Sequence, residues 1–281
     1  ELWRHRLGGT VIHTPNPAMD RMMNGRLLYQ VWSSRILGRC GYYQSGGAYG
    51  FRDQLQDMLP LLHHAPERAR EHILLCASKQ FKDGDVLHWW HSPSRGVRTR
   101  ISDDRLFLPY VTAEYVEVTG DAGILSQMVS YLAHRPIPEG RKDLYEDMQD
   151  SREKESLYMH CVRAVDSIHT GFHGLPLMGG GDWNDGMDRV GDNGGESVWL
   201  GWFLLDVLGR MENMANRLNK KADAKRFAVR RERLRTNLEK TWDGAWYPRA
   251  YYGDGTPLGT MENAMCRIDC ISQAWAAICV G

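Results

Sequence analysis

The 281-residue sequence has no excess of either charge, since 35 Lys and Arg balance 35 Asp and Glu. A chain without a net field gives no electrostatic case for nucleic acid or an anionic membrane as its main partner, and a neutral substrate fits it better. Apolar runs near the roughly 20 residues of a membrane span are also missing, so direct membrane insertion is not expected. The N-terminus does not read as a signal peptide. Six cysteines, Cys40, Cys76, Cys161, Cys266, Cys270 and Cys279, lack the paired spacings of zinc or redox sites. They read as reduced core residues, which favours a cytoplasmic setting, one compatible with a longer parent attached to the inner membrane. With 42% hydrophobic and 25% charged residues, the composition excludes disorder and is enough for a large core.

Strand signals are scarce too, confined to residues 86–90 and 246–252, and helical periodicity dominates. Met19, Met22, Met23, Leu27, Val31 and Ile36 predict one apolar face on a long helix ending near residues 38–41. Pro66 followed by Glu67 marks the first turn of another helix. Further helices are expected over residues 51–62, 106–119, 121–133, 151–168, 197–218, 222–242 and 263–280. Between them lie loops rich in Gly, aromatic and polar residues, at 41–49, 88–104, 175–195 and 243–259. The alternation predicts an all-α fold, an (α/α)6 toroid of helical hairpins with a pocket at one end. About eight helices fall short of a twelve-helix ring, so the ring is expected to be incomplete at its C-terminal end. The absent initiator Met and the uncapped apolar stretch 271–280 agree with a fragment. One domain spans 1–281, with 1–17 as a linker segment.

The richest local signal is the loop around Gly179, Gly180, Gly181, Asp182, Trp183, Asn184, Asp185, Gly186 and Met187. Consecutive glycines let backbone approach a ligand closely, and acids concentrate beside one large aromatic. Ten tryptophans and 12 tyrosines suit sugar binding, because pyranose faces stack on aromatic rings. A carboxyl group beside an apolar ring loses hydration and becomes able to donate a proton near neutral pH, which describes a general acid. Asp, Asn and Gly are equally the usual turn formers, and alone the segment reads more readily as a turn. A calcium loop fails on spacing: with Asp182 first, Gly186 falls fifth and Asn193 twelfth, where a carboxylate is required. No metal site is therefore expected.

A second glycine loop runs from Tyr42 through Gln44 and Tyr49 into a helix that begins with Arg52 and Asp53. Both of these can pair with vicinal hydroxyls; a helix-end charge with its surface partner is the plainer alternative. In a third motif, residues 96–104, Ser102 and Asp103 are expected to cap the next helix.

These motifs in series, together with Trp242 to Ala250, resemble the inverting glycoside phosphorylases related to cellobiose phosphorylase. The likeness is strongest to the C-terminal phosphorylase-like region of cyclic β-1,2-glucan synthases, and it covers nearly the whole chain. The resemblance implies that Asp185 is the general acid and Trp183 a wall of the acceptor-sugar subsite. It makes Asp53 a ligand of the transferred sugar and matches Arg39 to an upstream arginine of that subsite. Arg52, Gln44, Tyr49 and Asp182 complete the candidate substrate-binding set. Cellobiose-type members carry a further arginine where this chain has Gly46, Gly47 and Ala48, which argues against cellobiose. The family's phosphate-binding histidine and glycine-threonine partners belong to a later segment, so the fragment alone is expected to lack the phosphate site.

The implied reaction is reversible. Asp185 protonates the leaving glycosidic oxygen while inorganic phosphate, the co-substrate, attacks from the opposite face and yields α-glucose 1-phosphate. An oligosaccharide or glucan is the other partner and no organic cofactor is needed. The expected role is control of glucan chain length. Two rivals remain: an inverting hydrolase on a similar toroid, and a carbohydrate-binding domain without turnover.

Overall fold

In the helix Val198–Arg217, residues 198–205 are apolar and buried on every side, so it is stable only where other elements surround that end. The structure, a computed structural model, describes residues 1–38, 46–93, 95–133 and 135–280. In chain order its helices are α1 Leu2–Leu7, α2 Pro17–Arg21, α3 Leu27–Gln30, α4 Phe51–Met58, α5 Pro66–Ala77, α6 Phe107–Thr119, α7 Leu157–Asp166, α8 Asp188–Gly191, α9 Val198–Arg217, α10 Lys221–Glu239 and α11 Cys270–Val280. The strands are β1 Tyr49–Gly50, β2 Leu87–His91, β3 Arg95–Thr99, β4 Met128–Ala133, β5 Asp143–Asp147, β6 Gln149–Ser156, β7 Glu196–Ser197, β8 Ala250–Tyr251 and β9 Pro257–Leu258.

Helix α9 packs against α6, α7, α10 and α11. Its start is fixed by Ser197, whose hydroxyl accepts from the Leu200 amide at 3.0 Å. Phe203 lies at the centre of an aromatic cluster, with ring centroids of Phe107, Trp275 and Trp199 at 4.8, 5.0 and 5.6 Å. Such pairs join α6, α9 and α11 and add roughly 0.5–1.5 kcal/mol each beyond their burial. Helix α10 fully buries only one stripe, Ala224, Phe227, Leu234 and Leu238; Lys225, Glu232 and Arg233 are exposed, and half-buried Arg230 donates to the Val165 and Ile168 carbonyls. Among the described residues, no helix is long and apolar enough to cross a membrane.

The all-α expectation is overturned. Antiparallel sheets of four, two and three strands, ordered β1-β2-β3-β5, β4-β6 and β7-β8-β9, accompany the helices, so the chain is mixed helix and sheet and not a purely helical toroid. Residues 121–133, expected as a helix, form a short 3-10 turn and then β4, in which Val129 and Tyr131 face inward while Met128 is 62% exposed. That two-residue period is too short to stand out in sequence. The expected helix 151–168 splits at Ser156: charged β6 pairs with β4, and the Ser156 hydroxyl then caps α7. The last helix starts only at Cys270, where the Asp269 carboxylate accepts from the Ile271 amide at 2.9 Å.

The N-terminal helical stretch is continuous through π-helical turns at Met22–Arg26 and Val31–Leu37. Its buried face is Leu28, Trp32 and Ile36, whereas Met19, Met22, Met23 and Leu27 are exposed, because the wider turns rotate the stripe. Cys76 is buried and Cys161 is a buried free thiol, but Cys266 and Cys270 are exposed and not core residues, and Cys40 lies outside the described residues.

Candidate functional site

Asp185 opens a single 3-10 turn, Asp185–Met187, on the glycine loop. The turn forms locally because the Asn184 side chain accepts from the Gly186 amide at 3.0 Å. Beneath it the loop is pinned to the segment after β3. Gly180 donates its amide to the Arg100 carbonyl at 2.7 Å, and Ser102 donates amide and hydroxyl to the Gly181 carbonyl at 2.9 and 3.0 Å. Gly179 has φ of 62°, and a Cβ there would lie 2.3 Å from the Arg100 carbonyl oxygen, so both its conformation and its proximity require glycine.

Asp182 is fully buried and its carboxylate has no surface open to a ligand. Arg249 holds it through two parallel hydrogen bonds of 2.6 and 2.7 Å, the Ser197 hydroxyl donates to it at 2.6 Å, and the Asn184 amide at 3.1 Å. Its observed part is to anchor the loop from below, three residues before the half-exposed Asp185.

Arg52, the second residue of α4, reaches across to this loop and is nearly buried. Its guanidinium donates to Asp103 Oδ2 at 3.0 Å, to the Asp182 carbonyl at 3.4 Å and to Asp185 Oδ1 at 3.3 Å. Burial works against the charge of Arg52, but Asp103, Asp104 and Asp185 outweigh it and raise its pKa. Asp103 is fully buried, with Oδ1 unpartnered, and its carboxyl is pushed up to about 8, first by burial and then by the like charge of Asp104. The capping reading of Ser102 and Asp103 is therefore corrected. Asp103 precedes the 3-10 turn Asp104–Leu106 without a side-chain cap, and both residues face the glycine loop and Arg52.

His88 supplies the other contact to Asp185. Its Nε2 lies 3.6 Å from Asp185 Oδ2, and its Nδ1 is 2.7 Å from Asp104 Oδ2. Burial disfavours the imidazolium, yet the Asp104 hydrogen bond and the charges of Asp104 and Asp185 prevail, so the His88 pKa is raised. Arg52 and His88 thus approach different oxygens of one carboxylate.

Of the remaining candidates, Asp53 is exposed in the first turn of α4, directly after Arg52. Tyr49 pairs with Trp90 across β1 and β2, with ring centroids 6.0 Å apart. Trp183 is 49% exposed beside Asp185 in the loop. Arg39 and Gln44 lie outside the described residues. Among the described residues, no group of three or more His, Cys, Asp or Glu side chains is arranged to hold a metal. His88, Asp104 and Arg249 are not among the candidates that sequence pattern singles out. The adjacent Asp103-Asp104 pair was the available signal, since two neighbouring carboxylates in an apolar setting require cations nearby.

The sequence has counterparts among known proteins. A family description, Glycosyl hydrolase 94 superfamily, catalytic domain, matches residues 2–281. The chain belongs to this family. Within it, the chain is 45% identical over 281 residues to a cyclic beta-(1,2)-glucan synthase, NdvB, of Rhizobium meliloti (strain 1021), covering 98% of this chain and 10% of that protein. It is 29% identical over 273 residues to solabiose phosphorylase of Paenibacillus borealis, covering 95% of this chain and 32% of that one. An N,N'-diacetylchitobiose phosphorylase of Vibrio proteolyticus is 25% identical over 308 residues, with 98% of this chain and 36% of that protein aligned. The chain therefore spans a tenth to about a third of the length of these relatives, and the family and relatives together support an enzyme that acts on glycosides.

Proposed function

We propose that this region carries the general acid of an inverting glycoside phosphorylase acting on a β-linked glucan, β-1,2-glucan first, with a role in setting chain length. The observation that carries the reading is the seat of Asp185. A half-exposed carboxyl group on a pinned loop accepts a hydrogen bond from Arg52 at 3.3 Å, and His88 Nε2 lies 3.6 Å from its other oxygen. A group whose orientation is fixed while its surface stays open is suited to meet a glycosidic oxygen. The identity with a glucan synthase supports the linkage, and the phosphorylase relatives support phosphate as the second reactant.

In this reading Asp185 protonates the leaving oxygen, phosphate bonds to the anomeric carbon from the opposite face, and α-glucose 1-phosphate is released. Trp183 offers its exposed ring to the acceptor sugar, and Asp53 with Tyr49 faces the transferred one. The test uses the full-length protein with β-1,2-glucan, with and without inorganic phosphate, and follows the product anomer by NMR. α-Glucose 1-phosphate formed only with phosphate supports the reading. Free sugar released at the same rate without phosphate overturns it in favour of hydrolysis.

A further inference from the structure

His88 does not sit in the regular alternation of β2. The register against β3 slips between Leu87 and Trp89, and His88 is the residue left between them. Such an irregularity re-aims a side chain out of the strand's two faces. Here the ring is turned to bridge two carboxylates, with Nδ1 on Asp104 and Nε2 toward Asp185. Asp104 Oδ1 is buried without a partner, so this carboxylate is committed to the imidazole. Asp103 treats Arg52 the same way: Asp103 Oδ2 accepts from Nη1, and Nη2 reaches Asp185. Two consecutive buried aspartates thus each hold a basic side chain against a different oxygen of one acid. The routes are not equivalent, because a guanidinium keeps its proton and an imidazole can release one.

We propose that His88 is a positioning residue that returns a proton to Asp185 during turnover, with Asp104 holding the imidazole in the orientation this requires. The inference rests on Asp185 being the acid of the proposed reaction. As the glycosidic C–O bond breaks, Asp185 gives its proton to the leaving oxygen, and a phosphate oxygen bonds to the anomeric carbon. The carboxylate so formed takes the Nε2 proton of His88, with that N–H bond breaking as the Asp185 O–H bond forms. His88 is left neutral, with Nδ1–H donating to Asp104, and regains its proton from solvent. The charged groups around the ring are Asp104 and Asp185, which favour the imidazolium, and Arg52, which opposes it. Its raised pKa keeps the proton available to higher pH, and activity falls as pH rises through that value.

The experiment measures kcat and KM for phosphorolysis of β-1,2-glucan across pH in the full-length protein, its His88→Gln variant and its Asp104→Asn variant, with thermal unfolding alongside. Glutamine keeps a donor near Asp185 but does not titrate. His88→Gln is expected to lower kcat at least about tenfold, to leave KM within about twofold, and to lose the alkaline limb set by His88. Asp104→Asn is expected to move that limb to lower pH, because a neutral amide no longer favours the imidazolium. Profiles of wild-type shape in both variants overturn the inference; if His88→Gln does not fold, an unmoved limb in Asp104→Asn does so alone. Absence of phosphate-dependent turnover in the wild type overturns the proposed function and this inference together, whereas turnover with unmoved profiles overturns only the inference.

Discussion

Asp182 and Arg249 meet in full burial through two parallel hydrogen bonds of 2.6 and 2.7 Å, and this pair joins the glycine loop to the β7-β8-β9 sheet. Arg249 also lies 3.3 Å from Asp269 at the start of α11. This guanidinium therefore adds to the contacts from Arg100, Ser102 and Arg52 that set the loop carrying Asp185 relative to the rest of the fold. Arg249→Met leaves the Asp182 carboxylate buried without its cation, and a loss of about 3–5 kcal/mol in unfolding free energy is expected. Arg249→Lys keeps the charge but not the fork, and should fall between wild type and Arg249→Met. Denaturant unfolding of the three proteins measures this order.

The glycine loop tolerates no side chain at Gly179. Its φ of 62° and the 2.3 Å approach of a Cβ to the Arg100 carbonyl act together, so Gly179→Ala should cost roughly 1–3 kcal/mol and displace the Asp185 turn. Gly46→Ala, where a Cβ meets nothing within 4 Å, serves as the comparison and should change stability much less. Thermal unfolding of both variants provides the check.

Asp103 makes stability depend on pH. Its folded pKa is raised from 3.8 to about 8, so between these values the native state binds more protons than the unfolded chain. Stability from this group is fully present below about pH 4 and is lost as pH rises toward 8. Asp103→Asn removes that dependence. The unfolding free energy of the variant should therefore slope downward less steeply than wild type between pH 4 and 8. Equal slopes would contradict the assigned cause, burial beside Asp104.

Trp183 is expected to matter for substrate and not for folding. With its ring half exposed, Trp183→Ala should change stability by no more than about 0.5 kcal/mol. Loss of a stacking face should raise KM for the acceptor in the synthetic direction, while unfolding stays the same. Kinetics with varied acceptor length, set beside a melting curve, separate the two effects.

Much of the helical frame is legible in the sequence because its signals are local. Pro66 and Glu67 mark the start of α5, and the long apolar run of α9 allows little besides a buried helix. The sheets are not legible in the same way. Strand β6 carries Arg152, Glu153, Lys154 and Glu155 in succession, which hides its alternation, and it becomes a strand by pairing with β4, more than 15 residues earlier. The site divides similarly. Asp185 and Trp183 stand out by motif, and Arg52 by the glycine loop before it. His88 is visible only once β2 slips its register against β3, and the role of Asp182 only once Arg249 arrives from 67 residues away. Neither long-range contact leaves a mark in the local pattern.

Whether Asp185 is the proton donor is decided by Asp185→Asn in the full-length protein. Initial rates of α-glucose 1-phosphate formation from β-1,2-glucan and phosphate are compared with wild type, with unfolding measured in parallel. A fall in kcat of about 10²- to 10⁴-fold with unchanged stability is expected, since asparagine fills the same space without an acidic proton. A folded Asp185→Asn protein that forms product at the wild-type rate would contradict it.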